Sequence, residues 1–160
     1  MTQKPLTYSK FKWTPVTAIV GSPCAGKSTT VDEVAKPGDL VIEFDRLMMA
    51  LTPLGTHEHS EQVKSFVWTA QKSLLRRLRY PSEVNRAFLT ALAPTNEQRY
   101  RYLVGHKASM TILQVSPETA HNRAEEAGRP GTWHHFIDMY FERYEEPDDP
   151  RIKVFNTEDA

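Results

Sequence analysis

The sequence predicts an α/β fold in which a parallel sheet of five strands is covered by helices on both faces. Short apolar runs alternate with longer segments of helical periodicity along the chain. That alternation is typical of parallel sheets, whose strands are joined by helical crossovers. The predicted strands span residues 16–20, 40–44, 87–92, 110–115 and 152–155, and the predicted helices span 29–35, 46–51, 60–79, 96–104, 117–127 and 133–145.

The most specific feature lies between the first predicted strand and the first predicted helix. Residues 21–28 match the phosphate-binding pattern G-x-x-x-x-G-K-[ST] at every fixed position. Such a loop wraps its backbone N–H groups around phosphate oxygens, and the following helix adds its positive N-terminal end. We therefore expect ATP and Mg²⁺ as cofactors, with Lys27 on the β- and γ-phosphates and the Ser28 hydroxyl on the metal. The predicted cofactor-binding residues are Gly21, Ser22, Pro23, Cys24, Ala25, Gly26, Lys27, Ser28 and Thr29.

Helix boundaries are marked by turn residues. Pro37 and Gly38 follow the first helix, Pro81 follows the third, and Gly105 follows the fourth. Ser116 and Pro117 have the form of an N-cap followed by proline at the first helical position. In the long third helix an apolar stripe at helical spacing predicts the core-facing side, which comprises Val63, Phe66, Val67, Ala70, Leu74 and Leu78.

Composition limits the classes of protein to consider. The chain has 160 residues, 39% of them hydrophobic and 25% charged, with a formal net charge of zero. These values predict one globular domain over residues 1–160, with residues 1–14 as an N-terminal arm. No apolar run approaches membrane-spanning length, and the single cysteine, Cys24, excludes an internal disulfide. We expect a cytoplasmic protein without a membrane partner.

Asp45 is the second candidate site residue. It follows the second predicted strand, so it should lie at the same edge of the sheet as the phosphate-binding loop. A carboxylate there can accept the proton of an attacking hydroxyl or orient Mg²⁺; the alternative is an N-cap for the next helix. Glu43, two residues earlier, is expected farther from the rim. The third strand ends without an acidic residue, which argues against a motor ATPase and suits a small kinase.

Several basic residues are candidates for contacts with the substrate. Arg123 and Arg129 flank Gly128 and predict a mobile lid that neutralises charge during phosphoryl transfer; a surface loop is the alternative. Arg99 follows the third strand and is the best placed to meet an acceptor phosphate. His57 and His59 are interpreted as loop residues, at most near the acceptor, because two histidines without a third ligand seldom bind zinc.

Together these residues resemble the P-loop kinase group that contains polynucleotide kinase, and more closely the small AAA-labelled ATP-binding proteins of bacteriophage genomes. The similarity rests on the phosphate-binding loop, on G-D-L-V-I-x-x-D at residues 38–45, on T-A-x-x-P at 90–94 and on R-A-E-x-x-G-R-P at 123–130. It implies a three-layer P-loop NTPase fold, nucleoside-kinase-like with a short lid. It also implies that Asp45 is the base toward a 5′-hydroxyl and that Arg123 or Arg129 is the lid arginine.

The resemblance implies an acceptor hydroxyl on nucleic acid and, for a phage-encoded protein, a location in the host cytoplasm. The polynucleotide kinase group carries an arginine three residues beyond the aspartate, where this chain has Met48; Arg46 or Arg99 could take its place. The related 5-hydroxymethyluracil DNA kinases share the layout and phosphorylate a base hydroxyl. Two alternatives stay open: a kinase of nucleosides, nucleotides or other small molecules, and a nucleotide-binding regulator or accessory ATPase.

Overall fold

The computed structural model describes residues 12–158. Within that range the strands are β1 (Val16–Gly21), β2 (Leu40–Ile42), β3 (Ala87–Ala91), β4 (Ser109–Gln114) and β5 (Ile152–Asn156). The helices are α1 (Lys27–Val34), α2 (Phe44–Leu51), α3 (Lys64–Arg77), α4 (Asn96–Gly105), α5 (Pro117–Glu126) and α6 (Thr132–Arg143). Among these, no helix is both long and apolar enough to cross a membrane.

The described strands form one sheet in the order β2-β3-β1-β4-β5, with every neighbouring pair parallel. The predicted parallel five-stranded sheet is confirmed. β1 lies at its centre, with Val20 beside Ala91 of β3 and Gly21 beside Leu113 of β4. The connection from β1 to β2 therefore runs to one side of β1, whereas the connection from β3 to β4 crosses to the other side. Ligands of such sheets bind at the carboxyl ends of the strands where this reversal occurs.

Alternating strand residues build two apolar cores, one on each face of the sheet. Ala18 and Val20 of β1 point into a core shared with α3 and α4, which contains Leu75 and Leu103. Ile19 points into the opposite core, shared with α1, α5 and α6; its helical members are Val31, Ala120, Ala124 and Ile137. This is the predicted three-layer arrangement of helix, sheet and helix.

Two local predictions are wrong. β2 ends at Ile42, and α2 begins at Phe44 with Glu43 as its N-cap, so Asp45 lies in the first helical turn rather than at a strand end or an N-cap. In α3, Phe66 is 70% exposed, while Val67, Gln71 and Leu75 are the buried residues. Residue 66 thus lies outside the core-facing side of the helix that was predicted from apolar spacing.

The predicted N-terminal arm lies mostly outside the described residues. Its described part begins at Lys12, which forms an antiparallel bridge to Ser82 through two backbone hydrogen bonds of 3.1 and 2.9 Å. Thr14 is buried and its hydroxyl lies 2.8 Å from the Ser82 hydroxyl. These contacts hold the described part of the arm to the segment that precedes β3.

Arg99 is a structural residue of α4. Its side chain is fully buried, and its guanidinium donates to the carbonyl oxygens of Ala93, Pro94 and Glu145 at 2.7–3.0 Å. It also lies over the ring of Tyr144, with Cζ 5.2 Å from the ring centre. Arg99 therefore joins the end of β3 to the segment after α6. This corrects its predicted role, because a guanidinium occupied by three carbonyls is not available to an acceptor phosphate.

Replacing Arg99 by methionine should lower the free energy of unfolding by at least about 2 kcal/mol, because three buried carbonyl oxygens lose their donors. Urea denaturation followed by tryptophan fluorescence measures this. Arg101→Met is the matched control: Arg101 is 71% exposed and pairs with Glu97, so its loss should cost less than about 1 kcal/mol. Equal stability of the two variants would contradict the structural role of Arg99.

Candidate active site

The phosphate-binding loop connects β1 to α1 through left-handed backbone. Cys24 has φ 63° and Gly26, the N-cap of α1, has φ 94°. Gly26 supplies no side-chain cap, so the first N–H groups of α1 lack a partner within the helix. Pro23, Cys24, Gly26, Lys27, Ser28 and Thr29 line a cavity of about 590 Å³ at this end of the sheet. The loop thus presents unpaired N–H groups and a helix N-terminus to a cavity, which is the arrangement that binds phosphate.

The other predicted loop residues support the cradle from behind. A Cβ atom on Gly21, whose φ is 154°, would lie 2.5 Å from the carbonyl oxygen of Leu113, so only glycine fits at this position. Ala25 is fully buried and Ser22 is 1% exposed. Within residues 12–158, the buried Ser22 hydroxyl oxygen has no hydrogen-bond partner. An unsatisfied buried hydroxyl beside the loop is typical of a site that a ligand completes.

Lys27 folds back onto the loop. Its Nζ donates to the carbonyl oxygens of Gly21 at 3.0 Å and Ser22 at 2.6 Å. The pKa of Lys27 is lowered to about 8, chiefly by burial and also by Arg129, while Cys24, Asp45 and Glu43 act in the opposite direction. The ammonium group thus donates to two neutral carbonyl oxygens of its own loop. A bound phosphate would give it an anionic partner.

The C-terminal segment holds the loop in place. The Thr157 hydroxyl donates to the carbonyl oxygen of Ala25 at 2.9 Å. Arg123 of α5 donates to the carbonyl oxygen of Cys24 at 3.3 Å and to that of Thr157. Arg123 therefore links α5, the loop and the segment after β5, which is a bracing position against the outer side of the loop.

Arg129 occupies the lid position in the loop between α5 and α6. Its Cζ lies 4.3 Å from the centre of the Trp133 ring, which is a cation–π contact. Its side chain lines the cavity, and its buried Nε has no hydrogen-bond partner among the described residues. Of the two predicted lid arginines, the structure thus places Arg129 in the cavity and Arg123 on the outer side of the loop.

Asp45 lines the same cavity, hydrogen-bonded to one histidine of the loop after α2 and close to a second. His59 Nε2 lies 2.7 Å from Asp45 Oδ1, and His57 Nδ1 lies 3.6 Å from Asp45 Oδ2. Burial and Arg129 lower the pKa of His57, so this imidazole favours its neutral form. His59 orients the carboxylate. Sequence analysis interpreted this histidine as a loop residue, at most near the acceptor, and in the structure it lines the cavity.

Glu43 is closer to the site than its sequence position suggested. Its side chain lines the cavity and is 6% exposed; Oε2 accepts from Arg46, whereas Oε1 has no partner in the described part of the chain. Arg46 also pairs with Asp32. The guanidinium of Arg46 thus pairs with two carboxylates and orients Glu43, while its predicted contact with the acceptor stays a prediction.

The remaining cavity wall was missed by sequence analysis. It includes Trp68 and Gln71 of α3, Arg101 and Tyr102 of α4, and Trp133 of α6. The signal in α3 was the spacing of residues 64, 68 and 71, which places three cavity-lining side chains on one face of the helix. The sequence analysis did not identify this face, because the apolar stripe of the same helix indicates only the side that packs on the core.

Comparison with known proteins gives structural matches only. No protein-family model and no curated protein sequence matches the chain. It is similar to a gluconokinase from Sinorhizobium meliloti 1021, with a TM-score of 0.61, 17% identity, and 93% and 86% of the two chains covered. It is also similar to a shikimate kinase from Acinetobacter baumannii in complex with shikimate, with a TM-score of 0.55, 15% identity, and 92% and 86% covered.

A third similar structure is a chain of the Pnkp1/Rnl/Hen1 RNA repair complex. The TM-score is 0.55 at 14% identity, with 94% of this chain and 51% of that chain covered. This chain therefore spans about half of the repair protein. The protein has the α/β fold of P-loop kinases. At such low sequence identity the similarity supports the fold alone. The chemistry has to be inferred from the residues of the site.

The residues around the loop fit a nucleoside triphosphate with Mg²⁺. The left-handed loop backbone and the start of α1, whose first N–H groups have no partner within the helix, border a space for phosphate oxygens. Ser28, Asp45 and Glu43 line the same cavity and offer a hydroxyl and two carboxylates. Mg²⁺ prefers oxygen ligands and usually takes one or two from the protein and the others from phosphates and water.

Binding of MgATP above pH 8 should take up protons through Lys27. With a pKa of about 8, the amine is about three-quarters neutral at pH 8.5, and a bound phosphate raises that pKa and recharges it. Uptake should be small at pH 7, where the lysine is already charged. Calorimetric titrations in buffers of different ionisation enthalpy measure the uptake. Lys27→Met is the control; an uptake at pH 8.5 that persists in this variant would contradict the assignment.

Proposed function

We propose that this protein is an ATP- and Mg²⁺-dependent phosphotransferase that moves the γ-phosphate of ATP to a hydroxyl group on nucleic acid. One observation carries the proposal: Lys27 of the phosphate-binding loop, Asp45 of α2 and Arg129 of the lid all line one cavity. A phosphate cradle, a carboxylate and an unpaired arginine around a single cavity are the parts that phosphoryl transfer to an alcohol needs.

The loop residues hold the donor. ATP supplies the γ-phosphoryl group, and Mg²⁺ neutralises charge on the phosphate oxygens. Lys27 exchanges its two loop carbonyls for phosphate oxygens, and the N–H groups at the start of α1 donate to the same anion. The Ser28 hydroxyl and Asp45 are the proposed protein ligands of the metal, with Asp45 acting through water.

Asp45 serves the acceptor. Its carboxylate takes the proton of the acceptor hydroxyl as the oxygen bonds to phosphorus and the bond to the leaving ADP breaks. The hydrogen bond from His59 at 2.7 Å holds one oxygen of the carboxylate, Oδ1, and Asp45 lines the cavity in which the acceptor would bind. The lowered pKa of His57 keeps that imidazole neutral near pH 7, so it does not neutralise the negative charge of the Asp45 carboxylate.

Arg129 stabilises the charge that develops on the transferring group. Its Cζ lies 4.3 Å from the centre of the Trp133 ring, and its Nε, for which residues 12–158 provide no hydrogen-bond partner, is available to a phosphate oxygen. The stacking limits its conformational freedom, so little entropy is lost when the bond to phosphate forms. Arg123 contributes by holding the loop.

Support for nucleic acid as acceptor comes from the polynucleotide kinase-like spacing of residues 38–45 and 123–130 and from the similarity to a chain of an RNA repair complex. A second candidate acceptor is a free nucleoside, nucleotide or other small molecule. The cavity favours it, since about 590 Å³ is typical of sites for single small ligands. Nucleotide binding without transfer would instead indicate a regulator.

Asp45→Asn should lower kcat by about 10²–10⁴-fold, because the amide cannot accept the acceptor proton. The assay is transfer of labelled γ-phosphate to a 5′-hydroxyl oligonucleotide, to hydroxymethyluracil DNA and to mixed nucleosides. Asp138→Asn, an exposed carboxylate paired with His121 outside the cavity, is the matched control and should retain activity. Label on nucleosides alone would support the second candidate. Bound ATP without transfer to any acceptor would overturn the phosphotransferase proposal.

Arg129→Lys should lower kcat by about 10²-fold or more while changing ATP affinity little, since a lysine cannot reproduce the stacked guanidinium. Arg123→Lys should instead weaken ATP binding, because the loop loses its brace to Thr157. Steady-state kinetics and direct ATP titration of the two variants separate the effects. If kcat instead fell mainly in the Arg123 variant, Arg123 would be the lid residue that stabilises the charge on the transferred phosphoryl group.

A further inference from the structure

We infer that the acceptor side of the cavity is a nucleobase pocket, in which aromatic side chains hold the faces of a planar heterocycle and the Gln71 amide pairs with its edge. The inference rests on the proposed function only for the claim that the molecule bound here is the phosphate acceptor. It specifies which part of the acceptor the protein recognises, whether the base belongs to a free nucleoside or to a nucleic acid strand.

Gln71 is the central observation. It lies in the middle of α3, is 5% exposed and lines the cavity. Its Oε1 has no hydrogen-bond partner among residues 12–158. A buried carboxamide oxygen without a donor costs free energy, and a chain retains it where a ligand supplies the donor. Trp68, one helical turn earlier, lines the cavity on the same side of α3.

The walls next to Gln71 are aromatic. The Phe44 and Trp68 rings pack with centres 4.7 Å apart and planes inclined by 47°. Trp133 lies on the lid side, with His57 edge-on at 5.5 Å. Tyr102 of α4 lines the same space. Aromatic faces hold bases by stacking, with little dependence on base identity.

The polar groups on this side suit a base better than a sugar acid. The edge of a carboxamide offers a donor and an acceptor in one plane, which matches the adjacent donor and acceptor on a base edge. His106 Nδ1 is a further buried atom for which the described residues provide no partner. A carboxylate ligand would need cations here, but the cavity-lining cations of α3 and α4 already face carboxylates: Lys64 lies 3.7 Å from Glu61, and Arg101 lies 2.7 Å from Glu97.

The pocket also places the base beside the proposed chemistry. Phe44 and Asp45 are consecutive residues in the first turn of α2, and both line the cavity. A heterocycle packed against Phe44 and Trp68 is therefore held next to the Asp45 carboxylate. A hydroxyl attached to that base or to its sugar then lies on the side of the cavity that faces the phosphate-binding loop.

The test is equilibrium binding by calorimetry without ATP, so that it does not depend on transfer. The ligands are the common nucleosides, a 5′-hydroxyl oligonucleotide, the same oligonucleotide with an abasic 5′-terminal residue, and ribose and gluconate as base-free compounds. The variants are Gln71→Leu, which keeps the side-chain volume, and Trp68→Ala. Phe66→Ala is the matched control, because Phe66 is on the same helix, is 70% exposed and is not among the cavity-lining residues described.

We expect at least one base-bearing ligand to bind, with affinity falling about tenfold or more in Gln71→Leu and Trp68→Ala and unchanged in Phe66→Ala. The affinity of the unchanged protein for the abasic oligonucleotide, ribose and gluconate should be no higher than the affinity of Gln71→Leu and Trp68→Ala for nucleosides. Binding of nucleosides alone assigns the base to a free nucleoside; stronger binding of the intact than of the abasic oligonucleotide assigns it to a strand end. Either result supports the pocket.

Equal binding of intact and abasic strands, preference for a base-free compound, or unchanged affinity in Gln71→Leu and Trp68→Ala would overturn the inference. Thermal melting of each variant confirms that it is folded. Phosphate transfer is measured separately. Base binding without transfer would refute the proposed function and leave the pocket in place, whereas transfer to gluconate without base binding would refute the pocket and keep the phosphotransferase.

Discussion

The position of β1 between β3 and β4 is the constraint on which the rest of the site depends. Gly21, the last residue of β1, lies against Leu113 so closely that no side chain fits between them. The chain must leave the sheet at this point, and it does so through a loop that ends in the N-terminus of α1. Because every strand of the sheet is parallel to β1, the residues that follow the strands reach the same edge, and this convergence brings Asp45, which follows β2, into the same cavity as Lys27.

Around that edge the protein retains polar groups that its own fold leaves unsatisfied. Within the described range these include Glu43 Oε1, His57 Nδ1, Gln71 Oε1, His106 Nδ1 and Arg129 Nε, all on residues that line the cavity. Such atoms are unfavourable in a folded protein and are concentrated where ligands bind. Stability comes instead from the two apolar cores and from Arg99, whose buried guanidinium satisfies the carbonyl oxygens at the end of β3. α3 and α4 thus contribute to both parts: Leu75 and Leu103 pack in the core, whereas Gln71 and Tyr102 line the cavity.

Sequence patterns predicted the alternating strands and helices well and were less accurate where tertiary contacts set a boundary. Residues 40–44 are apolar except for Glu43, and their pattern was interpreted as one strand although the chain changes from strand to helix after Ile42. Phe44 becomes helical and packs against Trp68, a contact between α2 and α3 that no local pattern encodes. The exposure of Phe66 is likewise set by tertiary packing rather than by the local pattern. Hydrophobic spacing identifies a helix face, but the packing of that helix decides how far around its surface burial extends.

By itself the sequence determined the phosphate-binding loop, its flanking strand and helix and the parallel sheet, because these depend on glycine positions, periodicity and residues close together in the chain. Tertiary structure decided which side chains share the cavity. It placed Arg129 in the cavity wall and Arg123 against the backbone of the loop, and it brought His59 to Asp45 and Gln71 into the cavity wall. It also placed Arg99 in a structural role. These assignments depend on how far each helix is rotated against the sheet, and that rotation follows from packing between residues distant in the sequence.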